Sequence, residues 1–156
     1  MVLSNMGFKV IIDTPGIKFS ACHFLKRPER CSRLHGHNYY VSIELNSDLD
    51  EDFFVEDFIQ LKKNLKSIIK QMDHYVLIPK NASDLRIIED NEAVEVITAN
   101  KRYVFPRQDV IFLPVVSTTT ELLAKYIHDK LKEIYKNKKI IVRLKESETT
   151  SAVYEE

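Results

Sequence analysis

From His37 to Leu45 the chain alternates. Tyr39, Val41, Ile43 and Leu45 fall on one side, and Tyr40, Ser42 and Glu44 on the other. Period-two alternation marks a strand with one buried face. The fold must therefore supply a sheet, and something apolar must cover the row that begins at Tyr39. His35-Gly36-His37 stands at the head of this strand. In extended backbone, residues two apart share a face, so the two imidazoles lie side by side.

Two amphipathic helices are available to cover that sheet. Phe58, Leu61, Leu65, Ile68, Ile69 and Met72 form a helical stripe, with Lys62, Lys63 and Lys66 outside it. Asp57 is placed to cap this helix, and Gln60 three residues on has capping-box spacing. A second helix is expected from Thr118 or Thr119, with Thr118 and Glu121 again at capping-box spacing. Its apolar face is Leu122, Leu123, Tyr126, Ile127, Leu131 and Ile134. Phe8–Asp13 and Ile17–Phe24, broken by the turn signal Thr14-Pro15-Gly16, are expected to form one bent strand or a hairpin. Two closing strands follow at Lys139–Glu146 and Ser151–Tyr154. Between the helices, Leu85–Ile88, Ala93–Thr98, Arg102–Phe105 and Val110–Leu113 read as small β pieces, with a turn at Ala99-Asn100. Residues 80–114 are thus expected to be a β-hairpin insertion. Strands and helices come in blocks, which indicates an α+β fold with an antiparallel sheet. One face takes both helices, and the other needs a partner that self-association would supply.

At 156 residues the chain suits one domain, 1–156. Its 23 Lys+Arg balance 23 Asp+Glu, which argues against a nucleic-acid binder working by bulk charge and against a polybasic membrane surface. Apolar runs fall well short of the roughly 20 residues of a membrane span. The N-terminus MVLSNMGFKV lacks the charged and apolar regions of a secretory leader. With only two cysteines, a reducing, cytoplasmic setting is expected.

His23 lies on the strand-like segment before the His35/His37 pair, and an adjacent antiparallel strand would bring it to the same face. Three histidines without a fourth protein ligand is the pattern of an open zinc site. Cys31, four residues before His35, stands in a polar loop, either as a metal ligand or as a proton acceptor whose thiol a bound cation would acidify. Cys22 points away from His23 by alternation and is read as structural. His128 sits mid-helix without an evident partner. Asp73-His74 follows the first helix, either as a proton-handling pair or as a histidine at a helix C-terminus. Glu146 and Glu148 end a strand. A carboxylate there would accept two parallel N–H bonds from the amidine edge of a 2-amino-4-oxo heterocycle, or would simply be solvated.

Together these residues resemble a known family. Phe19-Ser20-Ala21-Cys22-His23 and Cys31-Ser32-Arg33-Leu34-His35-Gly36-His37-Asn38-Tyr39 look like the metal and cysteine motifs of the 6-pyruvoyltetrahydropterin synthase/6-carboxytetrahydropterin synthase family. The resemblance continues through Val55-Glu56-Asp57-Phe58, Met72-Asp73-His74, Thr119-Thr120-Glu121 and Lys145-Glu146-Ser147, with Tyr154 eight residues after Glu146. It implies zinc held by His23, His35 and His37. It implies Cys31 as catalytic proton acceptor, Asp73 and His74 as a second proton-handling pair, and Glu146 as pterin anchor and part of the relay. Thr119 and Thr120 would line the pterin pocket.

Three residues between Cys31 and His35 resemble the 6-carboxytetrahydropterin synthases of 7-deazaguanine biosynthesis, which leads to queuosine or archaeosine. The implied reaction turns 7,8-dihydroneopterin triphosphate into 6-carboxy-5,6,7,8-tetrahydropterin, acetaldehyde and triphosphate. The alternatives are pyruvoyltetrahydropterin formation or another pterin side-chain cleavage, and a non-catalytic zinc or pterin-binding module. The family's tunnelling fold has a four-stranded antiparallel sheet with two helices on one face. Trimers close the sheets into a barrel and stack as a homohexamer. The stretch Lys80–Pro114 is longer than in compact bacterial members. Thr118 stands where many members have Pro, and Ser147 where they usually have Thr.

Overall fold

The computed structural model describes residues 7–156. Residues 1–6 of the stretch read for a leader therefore lie outside the described residues. In chain order the strands are β1 (Phe8–Ile12), β2 (Lys18–His23), β3 (His35–Ser47), β4 (Tyr75–Pro79), β5 (Arg86–Glu89), β6 (Ala93–Ile97), β7 (Arg102–Pro106), β8 (Val110–Leu113), β9 (Lys139–Lys145) and β10 (Ser151–Glu155). The helices are α1 (Phe58–Lys70) and α2 (Thr120–Ile134), with a 3-10 turn at Glu29–Ser32. Two compact units divide the chain. The first comprises the described part of Met1–Phe19 with Asn38–Gln71 and Thr120–Glu156; the second comprises Ser20–His37 and Met72–Thr119.

In the first unit β10, β9 and β3 pair antiparallel, and β1 pairs antiparallel with the end of β3, Phe8 opposite Ser47. The alternating row of β3 is the core: Tyr39, Val41, Ile43 and Leu45 are all buried, as are Ile140, Val142 and Leu144 of β9. Both helices turn their apolar stripes inward, with Leu61, Leu65, Ile68 and Ile69 of α1 buried and Leu123, Ile127 and Leu131 of α2 buried. A core leucine of this kind contributes about 2–5 kcal/mol against alanine. Phe58, counted in the stripe, is exposed instead, because it is the first residue of α1. Asp57 caps α1 as expected, its Oδ1 accepting from the Ile59 amide at 2.7 Å and the Gln60 amide at 3.4 Å. The capping box does not form: the Asp57 amide donates to Glu56 Oε1 at 3.2 Å, and Gln60 donates to Asn64 one turn on, at 2.9 Å. Asn64 in turn donates to the Tyr135 hydroxyl at 2.8 Å and so ties α1 to the end of α2. His128 is buried within α2, its Nδ1 3.2 Å from Asp129 and its ring edge-on to Tyr154.

The second unit corrects the sheet expected from sequence. β4 was not anticipated, and it pairs in parallel with β2, Ala21 opposite Tyr75. β8 pairs in parallel with β4, Val76 opposite Val110. The sheet is therefore mixed and has more than four strands. Val110–Leu113, read as part of the excursion, is a sheet strand. The excursion itself is a three-stranded antiparallel sheet, β5-β6-β7, rather than a single hairpin. Parallel neighbours cannot be joined by a tight turn and need a crossover; here β5–β7 is the crossover between β4 and β8. The Ala99-Asn100 turn forms as expected, with Thr98 N–H donating to the Lys101 carbonyl at 2.9 Å. Val94 and Val96 on one face of β6 pack with Ile78, Val110 and Phe24 into a buried cluster.

Candidate metal and proton-transfer site

β2 and the first residues of β3 build the histidine cluster. Along β2, Phe19, Ala21 and His23 are buried and alternate with Lys18, Ser20 and Cys22, so His23 faces inward and Cys22 the other way, as the alternation required. His35 and His37 follow on the adjoining strand. The three rings sit 4.7, 5.3 and 5.0 Å apart, centroid to centroid. One ligand nitrogen from each lies within 4.8 Å of the others.

The His23 and His35 rings are oriented through their second nitrogen. His23 Nδ1 donates to the Thr118 carbonyl at 2.9 Å, with the Thr118 hydroxyl at 3.3 Å, and His35 Nδ1 donates to the Arg33 carbonyl at 2.7 Å. A proton held on Nδ1 leaves the Nε2 lone pair as the ligand, the usual arrangement at a metal-binding histidine. Three imidazoles with no thiolate or carboxylate among them fit a divalent first-row metal. Thr118 was read as a helix cap. It is instead fully buried against His23, and α2 begins at Thr120. No spacing rule reveals that role, since Thr118 meets a histidine 95 positions away.

Gly36 allows the strands to come this close. A Cβ there would meet the Ala21 carbonyl oxygen at 3.0 Å and the Cys22 Cα at 3.8 Å. The obstruction is backbone, so β2 and β3 would have to separate between His23 and the His35/His37 pair. Gly36→Ala is expected to cost about 1–3 kcal/mol, the range for overpacking, and to weaken metal binding. Thermal melts and a chelator-competition titration check it, and unchanged metal affinity would contradict the crowding argument.

Asp73 and His74 are in side-chain contact. Asp73 Oδ1 accepts from the Ser20 amide at 2.8 Å, and its Oδ2 lies 3.0 Å from His74 Nδ1. The His74 amide donates to the Ser20 carbonyl at 2.6 Å. These contacts hold His74 in the left-handed region, φ 65°, a strained conformation for a residue with a Cβ. The ring is exposed, so the side chain is fixed at one nitrogen and open at the other end. The Ser20 amide, and to a smaller degree His74, hold the Asp73 carboxyl below its ordinary value of 3.8. A lowered carboxylate stabilises the fold above its unfolded-state value and loses that contribution as pH falls through the folded one. The acid limb of a melting-temperature curve, below about pH 4, is therefore expected to be shallower in Asp73→Asn. Parallel curves for the two proteins would refute the link.

Cys31 lies on the 3-10 turn, its amide donating to the Pro28 carbonyl at 2.9 Å and its carbonyl accepting from the Leu25 amide at 2.8 Å. It forms no disulfide. Burial pushes the Cys22 thiol up, which suits a packing role. Beside the turn an open cleft of about 590 Å³ is lined by Phe24, Leu25, Ser32, Leu85, Lys101 and Val116, among others. In the other unit Glu146 accepts from the Thr120 hydroxyl at 2.6 Å. Thr119 belongs to the unit of the histidines, and Thr120 and Glu146 to the other. Glu148 lines a separate shallow cavity with Arg143 and Thr150.

Residues 14–156 match the family model of 6-pyruvoyl tetrahydropterin synthase. The chain belongs to that family. It is 34% identical over 139 residues to the 6-carboxy-5,6,7,8-tetrahydropterin synthase of Aquifex aeolicus, covering 84% of this chain and 79% of that one. A Methanocaldococcus jannaschii protein given the same name provisionally is 37% identical over 123 residues, 78% of this chain and 76% of the other. Among solved structures, 6-pyruvoyl tetrahydropterin synthase of Plasmodium vivax superposes with a TM-score of 0.87 at 28% identity, covering 96% of this chain and 97% of that chain. This family member is an enzyme, a lyase. No helix among the described residues is long and apolar enough to cross a membrane.

Proposed function

We propose that this chain converts 7,8-dihydroneopterin triphosphate and one water into 6-carboxy-5,6,7,8-tetrahydropterin, acetaldehyde and triphosphate, with zinc at His23, His35 and His37. The observation that carries it is the three-histidine cluster with Cys31 four residues ahead of His35. The names of the Aquifex and Methanocaldococcus relatives support the same choice. When bound, zinc supplies Lewis acidity to the substrate's side-chain hydroxyls.

The protein's own groups divide the remaining work. Glu146, one oxygen of which accepts from the Thr120 hydroxyl, takes the amidine edge of the pterin, a two-bond contact that fixes ring orientation. Thr119 and Thr120 line that pocket. Cys31 accepts a proton from the substrate side chain. His74, its Nδ1 held by Asp73, moves a proton at Nε2, and Asp73 stabilises the imidazolium that results. The net reaction is redox-neutral: protons shift along the side chain, triphosphate leaves, and one carbon–carbon bond breaks. The site is expected to work in a homohexamer of two trimers in the cytoplasm, and the product suits 7-deazaguanine synthesis on the way to queuosine or archaeosine.

The Plasmodium vivax neighbour favours a second outcome, 6-pyruvoyltetrahydropterin. Mass spectrometry of the products formed by zinc-loaded protein separates the two. Carboxytetrahydropterin with equimolar acetaldehyde is expected; pyruvoyltetrahydropterin without acetaldehyde would replace the first assignment by the second.

A further inference from the structure

The crossover sheet β5–β7 reaches back to the segments that carry His23 and Cys31. Phe24, next to His23, stacks on Tyr103 of β7 with centroids 4.7 Å apart. Lys101, in the turn before β7, donates from Nζ to the Ser32 carbonyl at 2.7 Å and to the Ser32 hydroxyl at 3.1 Å. The Tyr103 hydroxyl adds a bond to the same carbonyl at 3.3 Å. The Ser32 hydroxyl in turn donates to the Glu29 carbonyl at 2.7 Å, across the turn that holds Cys31. No carboxylate lies within ion-pair distance of the Lys101 ammonium among the described residues. Its charge is spent on one residue, the neighbour of Cys31. A charge-assisted bond is about twice as strong as a neutral one, and this one joins segments 69 positions apart in sequence.

We infer that Lys101 is a positioning residue for Cys31: through Ser32 it fixes the turn that presents the thiol, and the crossover sheet is the frame that carries it. This rests on Cys31 being catalytic. Small displacements of a reacting group are costly, about 100-fold for 1 Å, so a turn of four residues benefits from an outside anchor.

Lys101→Met, Lys101→Arg, Cys31→Ala and Cys31→Ala/Lys101→Met, each loaded with zinc, test it. Lys101→Met is expected to lower kcat about 10- to 100-fold with KM and zinc content nearly unchanged. Lys101→Arg is expected to recover most of the loss, since it keeps the charge and the donors. In the Cys31→Ala background the Lys101 substitution is expected to add nothing, measured by single turnover with enzyme in excess. Unchanged kcat, a raised KM at constant kcat, or a full additional loss in the Cys31→Ala background would each overturn the inference. The alkylation rate of Cys31 by iodoacetamide, resolved from Cys22 by peptide mass spectrometry, separates this idea from the one it rests on. If Cys31→Ala turns over normally, Cys31 is not catalytic, and an altered alkylation rate in Lys101→Met still upholds the anchoring while an unaltered one rejects it. Should Lys101→Met fail to fold, Tyr103→Phe removes a weaker bond to the same carbonyl and is read in the same way.

Discussion

Cys31→Ala is expected to leave a folded, zinc-loaded protein whose turnover is lower by about 10²–10⁴-fold, the usual share of a proton-transfer group. The fold should survive because the turn is held through its backbone. The Cys31 amide and carbonyl bonds, to Pro28 and Leu25, do not involve the thiol, and Ser32 keeps its anchors to Glu29, Lys101 and Tyr103. Zinc should survive because three imidazoles converge without the sulfur. Steady-state kinetics, metal analysis and a melt on one preparation decide it. Turnover at the wild-type rate would remove Cys31 from the chemistry. Loss of zinc with loss of turnover would make the thiol a ligand, the other role that its loop position allows.

His35→Ala is expected to abolish stable metal binding and, with it, turnover. Removing a partner behind a ligand costs about 10–100-fold in metal affinity; removing one of three ligands should cost more. The protein should still fold, because His35 is only partly buried and its ring bonds a carbonyl two residues away. The rise in melting temperature on adding zinc, which follows from binding to the folded state alone, should disappear. Stoichiometric zinc retained by His35→Ala would overturn the three-histidine assignment. His23→Ala is a poorer test, because His23 is almost fully buried and its loss would also leave a void against Thr118.

Local patterns were legible in the sequence wherever one residue's surroundings depend on near neighbours. The Tyr39–Leu45 alternation, both helix stripes apart from the exposed end residues Phe58 and Ile134, the Asp57 cap and the Ala99-Asn100 turn follow from periodicity or turn chemistry, and they form. The pairing of His35 with His37 is of the same kind, since a two-residue step in a strand is geometry and not context. Where a residue had two partners to choose between, sequence chose wrongly. Thr118 and Gln60 both had capping-box spacing. Tertiary contact with His23 claimed the first, and in place of the second the adjacent Glu56 took the Asp57 amide.

The sequence by itself determined a strand headed by two histidines, two covering helices, and a cysteine and an aspartate–histidine pair at informative spacings. Only the tertiary structure decided that β4 lies parallel beside β2 and β8 beside β4, that residues 86–106 are the crossover this demands, and that Thr118 and Lys101 bear on the site. Parallel pairing joins segments far apart in the chain and leaves no short-range signature. A hydrogen bond to a carbonyl 69 positions away likewise depends on where the backbone goes, not on which residues stand nearby.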